Sequence, residues 1–162
     1  MKTEHIYNGN CIEVLKDFPD ESIDCVVTSP PYYKLRDYGT EEQLGLEETP
    51  EEFVANLVKL FSEVKRVLKK EGTVWLNLGD TYARQGGDVK DYGNSSINKG
   101  KMELQDKRDF SKAPKGLKPK DLVGIPWRVA FALQKDGWYL RQDIIWHKPN
   151  PMPESVQDRC TK

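Results

Sequence analysis

The chain has 162 residues, of which 37% are hydrophobic and 31% charged, and its formal net charge is −1. This length fits one domain that can bury a core, and the near-neutral charge argues against a uniformly basic nucleic-acid-binding protein. Because no apolar run approaches ~18 residues, no signal peptide is evident and the three cysteines lack metal-ligand spacing, we expect a cytoplasmic protein with reduced thiols and no metal site.

The first 30 residues predict two short strands separated by a helix. Residues 5–7 predict a strand, which ends at a turn around Gly9 that can cap the next element. The apolar residues between positions 12 and 18 then fall on one face of a short helix. Residues 23–27 form an apolar, β-branched run, which predicts a buried strand.

Two prolines follow this strand directly. Pro30 and Pro31 fix their own φ and keep the preceding residue out of the helical region, so the strand must end in a stiff, extended loop. In open α/β sheets, ligands bind at the edge formed by the carboxyl ends of the strands. The loop would present Ser29, the Pro30 carbonyl and the Tyr32 ring there, which suits a planar group bearing an NH2. A plain rigid turn or a polyproline ligand explains the same local pattern equally well.

The middle of the chain predicts the longest helix and a further strand. A threonine N-cap, a first-turn proline and a capping-box glutamate mark a helix start at residues 49–52. Apolar residues at helical spacing continue to about Lys70, where a glycine follows shortly. Residues 73–78 predict another buried strand.

A long polar stretch follows this strand. Residues 84–120 carry 10 Lys/Arg against 5 Asp/Glu, a net charge of +5. Because no hydrophobic period is sustained, we expect a mobile basic insert at about residues 82–120. Such a segment can meet phosphates, although a solvated loop explains its charge as well.

The last part predicts a helix and a strand. The helix begins near Ile125, carries Pro126 in its first turn and ends at Gly137. Residues 138–146 predict a long strand, and residues 147–153 form a second proline-stiffened loop. The alternation of strands and helices predicts an α/β domain built on a mostly parallel sheet.

Several segments together resemble the amino-methylating DNA methyltransferases, which modify N4 of cytosine or N6 of adenine. Residues 29–32, Ser-Pro-Pro-Tyr, match the catalytic tetrapeptide of that family. The other matching segments, in chain order, are residues 8–11, 44–45 with the following helix, 76–80, 137–141 and 145–150. Their order is that of a permuted subgroup in which the catalytic block precedes the cofactor block. The glycine-rich segment that binds S-adenosylmethionine in that family is absent from this chain.

The resemblance implies an incomplete Rossmann-like methyltransferase fold. Residues 1–162 would be the catalytic, base-binding part of one methyltransferase domain, with the cofactor half missing. The implied reaction transfers a methyl group from S-adenosylmethionine to the exocyclic amine of a base flipped out of double-stranded DNA. Ser29 at the first position of the tetrapeptide favours N4-cytosine over N6-adenine. The family also implies a prokaryotic or phage protein from a restriction-modification system.

The resemblance assigns roles to three groups of residues. Two acceptors, the Ser29 side chain and the Pro30 carbonyl, would bind the amine while the Tyr32 ring stacks on the base. The implied catalytic residues are Ser29, Pro30, Pro31 and Tyr32. The implied cofactor-binding residues are Asn10, Cys11 and Thr28. The implied DNA-binding residues are Tyr33, Lys34, Lys148 and Asn150.

Alternatives stay open for some residues and for the whole chain. Asn10 stands where the family often has Asp, and it serves equally well as a turn former or helix cap. Lys148 and Asn150 fit a solvated turn as well as a DNA contact. The chain itself is either part of a DNA methyltransferase, a DNA-binding subunit whose partner supplies the cofactor segment, or an N-methyltransferase acting on RNA or protein amides.

Overall fold

A computed structural model of the chain describes residues 4–40, 42–83 and 114–150. Its helices and strands are α1 (Cys11–Lys16), β1 (Ile23–Thr28), α2 (Pro50–Val67), β2 (Leu68–Leu76) and α3 (Ile125–Lys135). Most of the predicted insert, residues 84–113, lies outside the described residues. None of the helices described is long and apolar enough to span a membrane.

β1 and β2 form a parallel pair connected through α2. In the register of the ladder, Val26 pairs with Val74 and Thr28 with Leu76. The ladder shifts register between Ile23 and Cys25, where the strands begin. The two carboxyl ends therefore lie side by side, and the predicted parallel α/β arrangement is confirmed for this strand pair.

α2 covers one face of the sheet and forms the centre of the core. Its start is as predicted, because Thr49 Oγ1 accepts from the Glu52 N–H at 3.2 Å and the Glu52 carboxylate accepts from the Thr49 N–H at 3.1 Å. Phe53, Leu57 and Phe61 are at most 1% exposed. Val26, Val74 and Leu76 pack against this core from the sheet.

The predicted boundary between α2 and β2 is wrong by several residues. α2 ends at Val67 rather than near Lys70, and β2 begins at Leu68. The N–H groups of Glu21 and Ser22, just before β1, donate to the carbonyls of Arg66 and Val67. These bonds pair the end of α2 with the segment before β1, so residues from Leu68 onward adopt strand geometry although their sequence pattern is still helical.

The second face of the sheet is bare within the described part of the chain. Val27 is 77% exposed and Trp75 is 53% exposed, and Cys25 is exposed beside them. The prediction that both strands are buried is therefore wrong for this face. An apolar run indicates that a strand can be buried but does not supply the element that covers it. Here no described element packs on the second face.

Two predicted strands do not form within the part of the chain that the structure describes. Residues 5–7 and 138–146 have no ladder partner among the described residues, although both runs have strand-like composition. Ile6 is 90% exposed, and Tyr139 and Ile145 are 88% and 80% exposed. A strand requires a neighbouring backbone for its hydrogen bonds, and composition alone does not supply one.

α3 forms as predicted and packs against α2. Its N-cap is Gly124, which has no side chain, and Asp80 Oδ1 accepts from the N–H groups of Gly124 and Ile125 at 3.0 Å. At the other end Gly137 is left-handed, with φ +88°, and the Trp138 N–H donates to Leu133 O. The helix is thus capped at both ends, at its start by a carboxylate from the loop after β2.

Candidate functional site

The loops that follow the two parallel strands meet at their carboxyl ends. The loop after β1 comprises residues 29–34, and the loop after β2 comprises residues 77–80. They are joined where the Asn77 N–H donates to the Thr28 carbonyl at 2.9 Å. This is the sheet edge at which the sequence predicts a ligand site.

The Tyr32 side chain extends from the loop after β1 to the loop after β2. Its hydroxyl oxygen accepts from Asn77 Nδ2 at 3.1 Å, and Ser29 Oγ donates to the same oxygen over a longer 3.4 Å. A Cβ on Gly79 would lie 2.6 Å from Cε2 of the ring, so the ring rests against glycine backbone. The side chains of Ser29 and Tyr32 are therefore in contact at the carboxyl edge of the sheet.

Two acceptors in the loop after β1 keep free lone pairs. Ser29 is exposed, and as the donor to Tyr32 its hydroxyl oxygen still has lone pairs to offer. Pro30 is buried, and its carbonyl accepts no hydrogen bond from the described residues. This oxygen is therefore left to accept a hydrogen bond from a ligand.

The loop after β1 is fixed from below by its last two residues. Tyr33 is 2% exposed, and its hydroxyl donates to the Glu48 carbonyl at 3.1 Å, as Lys34 Nζ does at 3.0 Å. Burial raises the pKa of the Tyr33 phenol, and the nearby carboxylate of Glu51 raises it further. Tyr33 is thus a core residue with almost no surface left for the predicted DNA contact.

A third segment closes on the loop after β1 from the side. Gly45 has φ +96°, and a Cβ there would lie 2.8 Å from the Tyr32 carbonyl oxygen. The Lys34 N–H donates to the Gly45 carbonyl at 2.6 Å. Only glycine fits this close approach without displacing backbone.

The three residues predicted to bind cofactor occupy different settings. Asn10 caps α1, since its Oδ1 accepts from the Ile12 N–H at 3.0 Å while its Nδ2 donates to Glu42 at 3.1 Å. Cys11 is an exposed free thiol at the first position of α1. Thr28 is the last residue of β1, next to the tetrapeptide. Asn10 is accordingly engaged as a helix cap, the alternative that its sequence position left open.

Lys148 and Asn150 lie apart from these contacts. Both are exposed, in the unpaired stretch that follows α3. No hydrogen bond or ion pair within the described ranges joins either residue to the loop after β1. The same ranges contain no group of three or more His, Cys, Asp or Glu side chains that could hold a metal ion.

Asn77 and Gly79 belong to the site, although the sequence suggested no role for them. Both follow β2, within a segment that resembles the methyltransferase family. The signal that points to them is positional: the carboxyl end of the next parallel strand must lie beside the first. The identity of their partner, the Tyr32 side chain, requires the structure.

The fold and site define a class: an α/β protein with a proline-stiffened acceptor loop at the carboxyl edge of a parallel sheet. Comparison with known proteins makes the class specific, because the pattern of the DNA methylase family, the N6/N4 methyltransferases, matches residues 23–162. The chain belongs to this family. No solved structure gives a significant match.

Curated relatives of the chain are type II methyltransferases. M.XycI of Xanthomonas campestris pv. cyanopsidis is 53% identical over 98% of this chain and 51% of its own length. M.Cfr9I of Citrobacter freundii is 51% identical over 97% of the chain and 50% of its own length. M.SmaI of Serratia marcescens is 51% identical over the whole chain and 53% of its own length. The chain spans about half the length of these relatives.

Proposed function

We propose that the chain is the base-binding part of a DNA methyltransferase that methylates an exocyclic amine of a flipped base. The observation that carries this proposal is the pair of acceptors, Ser29 Oγ and the Pro30 carbonyl, which lie beside the Tyr32 ring and keep lone pairs that no described residue uses. Family membership and the type II methyltransferase relatives support DNA as the substrate.

The two acceptors explain how such a site activates an amine. The lone pair of an exocyclic amine is delocalised into the base, which makes the nitrogen a poor nucleophile. Ser29 and the Pro30 carbonyl each accept one N–H, and acceptors held out of the base plane localise that lone pair on nitrogen. The Tyr32 ring stacks on the base, a contact worth roughly 1–3 kcal/mol. Positioning and fixed dipoles therefore supply the catalysis, and no covalent enzyme intermediate is required.

We further propose N4 of cytosine as the target in preference to N6 of adenine. This preference rests on Ser29 at the first position of the tetrapeptide. A serine hydroxyl accepts the amine hydrogen without a formal charge, whereas an aspartate would add one.

The family uses S-adenosylmethionine, and the sequence contains no recognisable glycine-rich segment of the kind expected to bind it. Asn10 Oδ1 caps α1 and its Nδ2 binds Glu42, so only one lone pair of this side chain remains for a cofactor. We therefore propose that a further segment supplies most of the cofactor site, either in the same protein or in a partner. The bare face around Val27 and Trp75 is where an additional layer of the domain would pack.

Nucleoside mass spectrometry tests the proposed reaction. Bacterial cells that lack DNA methyltransferases would express the 162-residue chain alone or together with the part of M.XycI that the match does not cover. Genomic DNA is then digested to nucleosides and analysed for both methylated bases. We expect N4-methylcytosine when both parts are present, and its appearance with the chain alone would remove the need for a further segment.

The remaining outcomes separate the alternatives. Methylated bases in neither sample, from cells in which intact M.XycI does methylate DNA, contradict the proposed reaction. DNA binding by the chain without any methylation would favour a DNA-binding subunit. Methyl groups transferred from labelled S-adenosylmethionine to RNA or protein, and not to DNA, would favour an N-methyltransferase that acts on RNA or on protein amides.

A further inference from the structure

We propose that Asn77 and Gly79 are positioning residues, which hold the Tyr32 ring at the orientation in which it stacks on the target base. The proposal rests on the proposed function and extends it to the loop after β2, for which nothing in the sequence assigned a role. Asn77 acts on the hydroxyl of Tyr32, and Gly79 acts on its ring.

Asn77 is suited to fix the hydroxyl because its own backbone is held. Its N–H donates to the Thr28 carbonyl at 2.9 Å, which ties the end of β2 to the end of β1. From this fixed point, its Nδ2 donates to Tyr32 Oη at 3.1 Å. The far end of the ring is thereby tied to the sheet, and the rotation of the side chain is restricted.

Gly79 determines how closely the ring approaches the loop after β2. A Cβ at this position would lie 2.6 Å from Cε2 and 2.7 Å from Cδ2 of Tyr32, well inside van der Waals contact. Any other residue must push the ring away from the loop. Because Gly79 has no side chain, the Tyr32 ring can lie directly against its backbone. A base would stack on the opposite face of the ring.

The hydrogen bond from Asn77 to Tyr32 also affects Ser29. The Asn77 amide donates to Tyr32 Oη, which leaves that oxygen a second lone pair for the Ser29 hydroxyl at 3.4 Å. When the Ser29 proton is turned toward Tyr32, the lone pairs of Ser29 are directed elsewhere and can accept from an amine. By holding Tyr32 Oη in place, Asn77 therefore also fixes the position of the oxygen to which the Ser29 hydroxyl donates.

A thermal-unfolding cycle on the whole 162-residue chain tests the contacts without reference to activity. Gly79→Ala should lower the Tm by several degrees in the wild-type chain and by none in a Tyr32→Ala background, where the ring is gone. Asn77→Ala should lower the Tm less after Tyr32→Phe than before it. Ser62→Ala, which removes a hydroxyl bonded to the Val58 carbonyl within α2, is the control and should add independently to Tyr32→Phe.

The rate of methyl transfer tests the positioning role. It is measured with whichever protein methylates DNA in the expression experiment above, either the chain alone or the chain with its added segment. We expect Gly79→Ala to lower kcat roughly a hundredfold and Asn77→Ala about tenfold, with little change in the KM for S-adenosylmethionine. Asn77→Ala should have no further effect on kcat in the Tyr32→Phe enzyme, whereas Ser62→Ala should leave kcat unchanged in either background.

The two tests distinguish the possible failures. Additive Tm changes would overturn the contacts and with them this proposal. Coupled Tm changes with wild-type kcat for both variants would overturn the positioning role while leaving the proposed methyl transfer intact. Coupled Tm changes with no methylation even by the unmutated protein would instead mean that the proposed function has failed, and the proposal with it.

Discussion

The loop after β1 and the stretch after α3 differ in how the described chain holds them. Residues 29–34 contact Phe53 of α2 and the Glu48 carbonyl through Tyr33. They also contact Gly45 and, through Tyr32, the loop after β2. Residues 139–150 are exposed throughout. Both stretches contain aromatic residues and proline, yet within the described part of the chain only the first has neighbours that determine its conformation.

The difference shows that a binding loop requires a backbone that is already rigid, whereas a strand requires a neighbouring backbone to pair with. The loop after β1 is stiff before anything binds, because prolines restrict its backbone and buried Tyr33 anchors it to the core. Preorganised acceptors avoid the cost of being ordered during the reaction. The stretch after α3 has the composition of a strand, but no described residue pairs with its backbone, and a strand requires such a partner.

The largest difference in stability between the two regions should come from removing the Phe53 ring, which packs beneath the loop after β1. Phe53 is fully buried, and its ring centroid lies 5.6 Å from that of Tyr33. Phe53→Ala should lower the free energy of unfolding by about 3–5 kcal/mol. Tyr139→Ala, at an 88% exposed position after α3, should change it by less than about 0.5 kcal/mol. Equal effects in denaturant unfolding would show that the two regions are not held differently.

A smaller effect should follow from adding one methyl group beside the loop. Gly45→Ala places a Cβ 2.8 Å from the Tyr32 carbonyl oxygen at a residue whose φ is +96°. We expect a loss of about 1–3 kcal/mol in unfolding free energy. The matched control is Gly116→Ala, which has a similar φ of +87° and no atom within 4 Å. If both variants lose the same amount, backbone strain explains the loss and the side contact contributes nothing.

The smallest effect should come from the cap that joins the loop after β2 to α3. Asp80→Ala removes the carboxylate that accepts from the Gly124 and Ile125 N–H groups, and should cost about 1 kcal/mol. Asp143→Ala serves as the control, because Asp143 is an exposed carboxylate in the unpaired stretch. Indistinguishable unfolding midpoints for the two variants would contradict the role of Asp80 as a cap.

Local sequence signals predicted the helices and the acceptor loop well. The capping box of α2, the glycine that ends α3 and the proline loop after β1 are all encoded within a few neighbouring residues. The bare face at Val27 and the missing strand at residues 138–146 were mispredicted because apolar composition does not specify a partner. Asn77 and Gly79 were missed for a related reason, since their role depends on Tyr32, which is 45 and 47 residues away in sequence.

The most direct test of the central claim is the rate at which Ser29→Ala transfers methyl groups from labelled S-adenosylmethionine into phage DNA of mixed sequence. The protein is the form that methylates DNA, and the control is Ser62→Ala, whose hydroxyl bonds to Val58 on the far side of the core helix. If Ser29 accepts the target amine, Ser29→Ala should be roughly a hundredfold slower with unchanged DNA affinity, while Ser62→Ala keeps the full rate. Equal rates for Ser29→Ala and the unmutated protein would contradict the claim that this loop binds the amine.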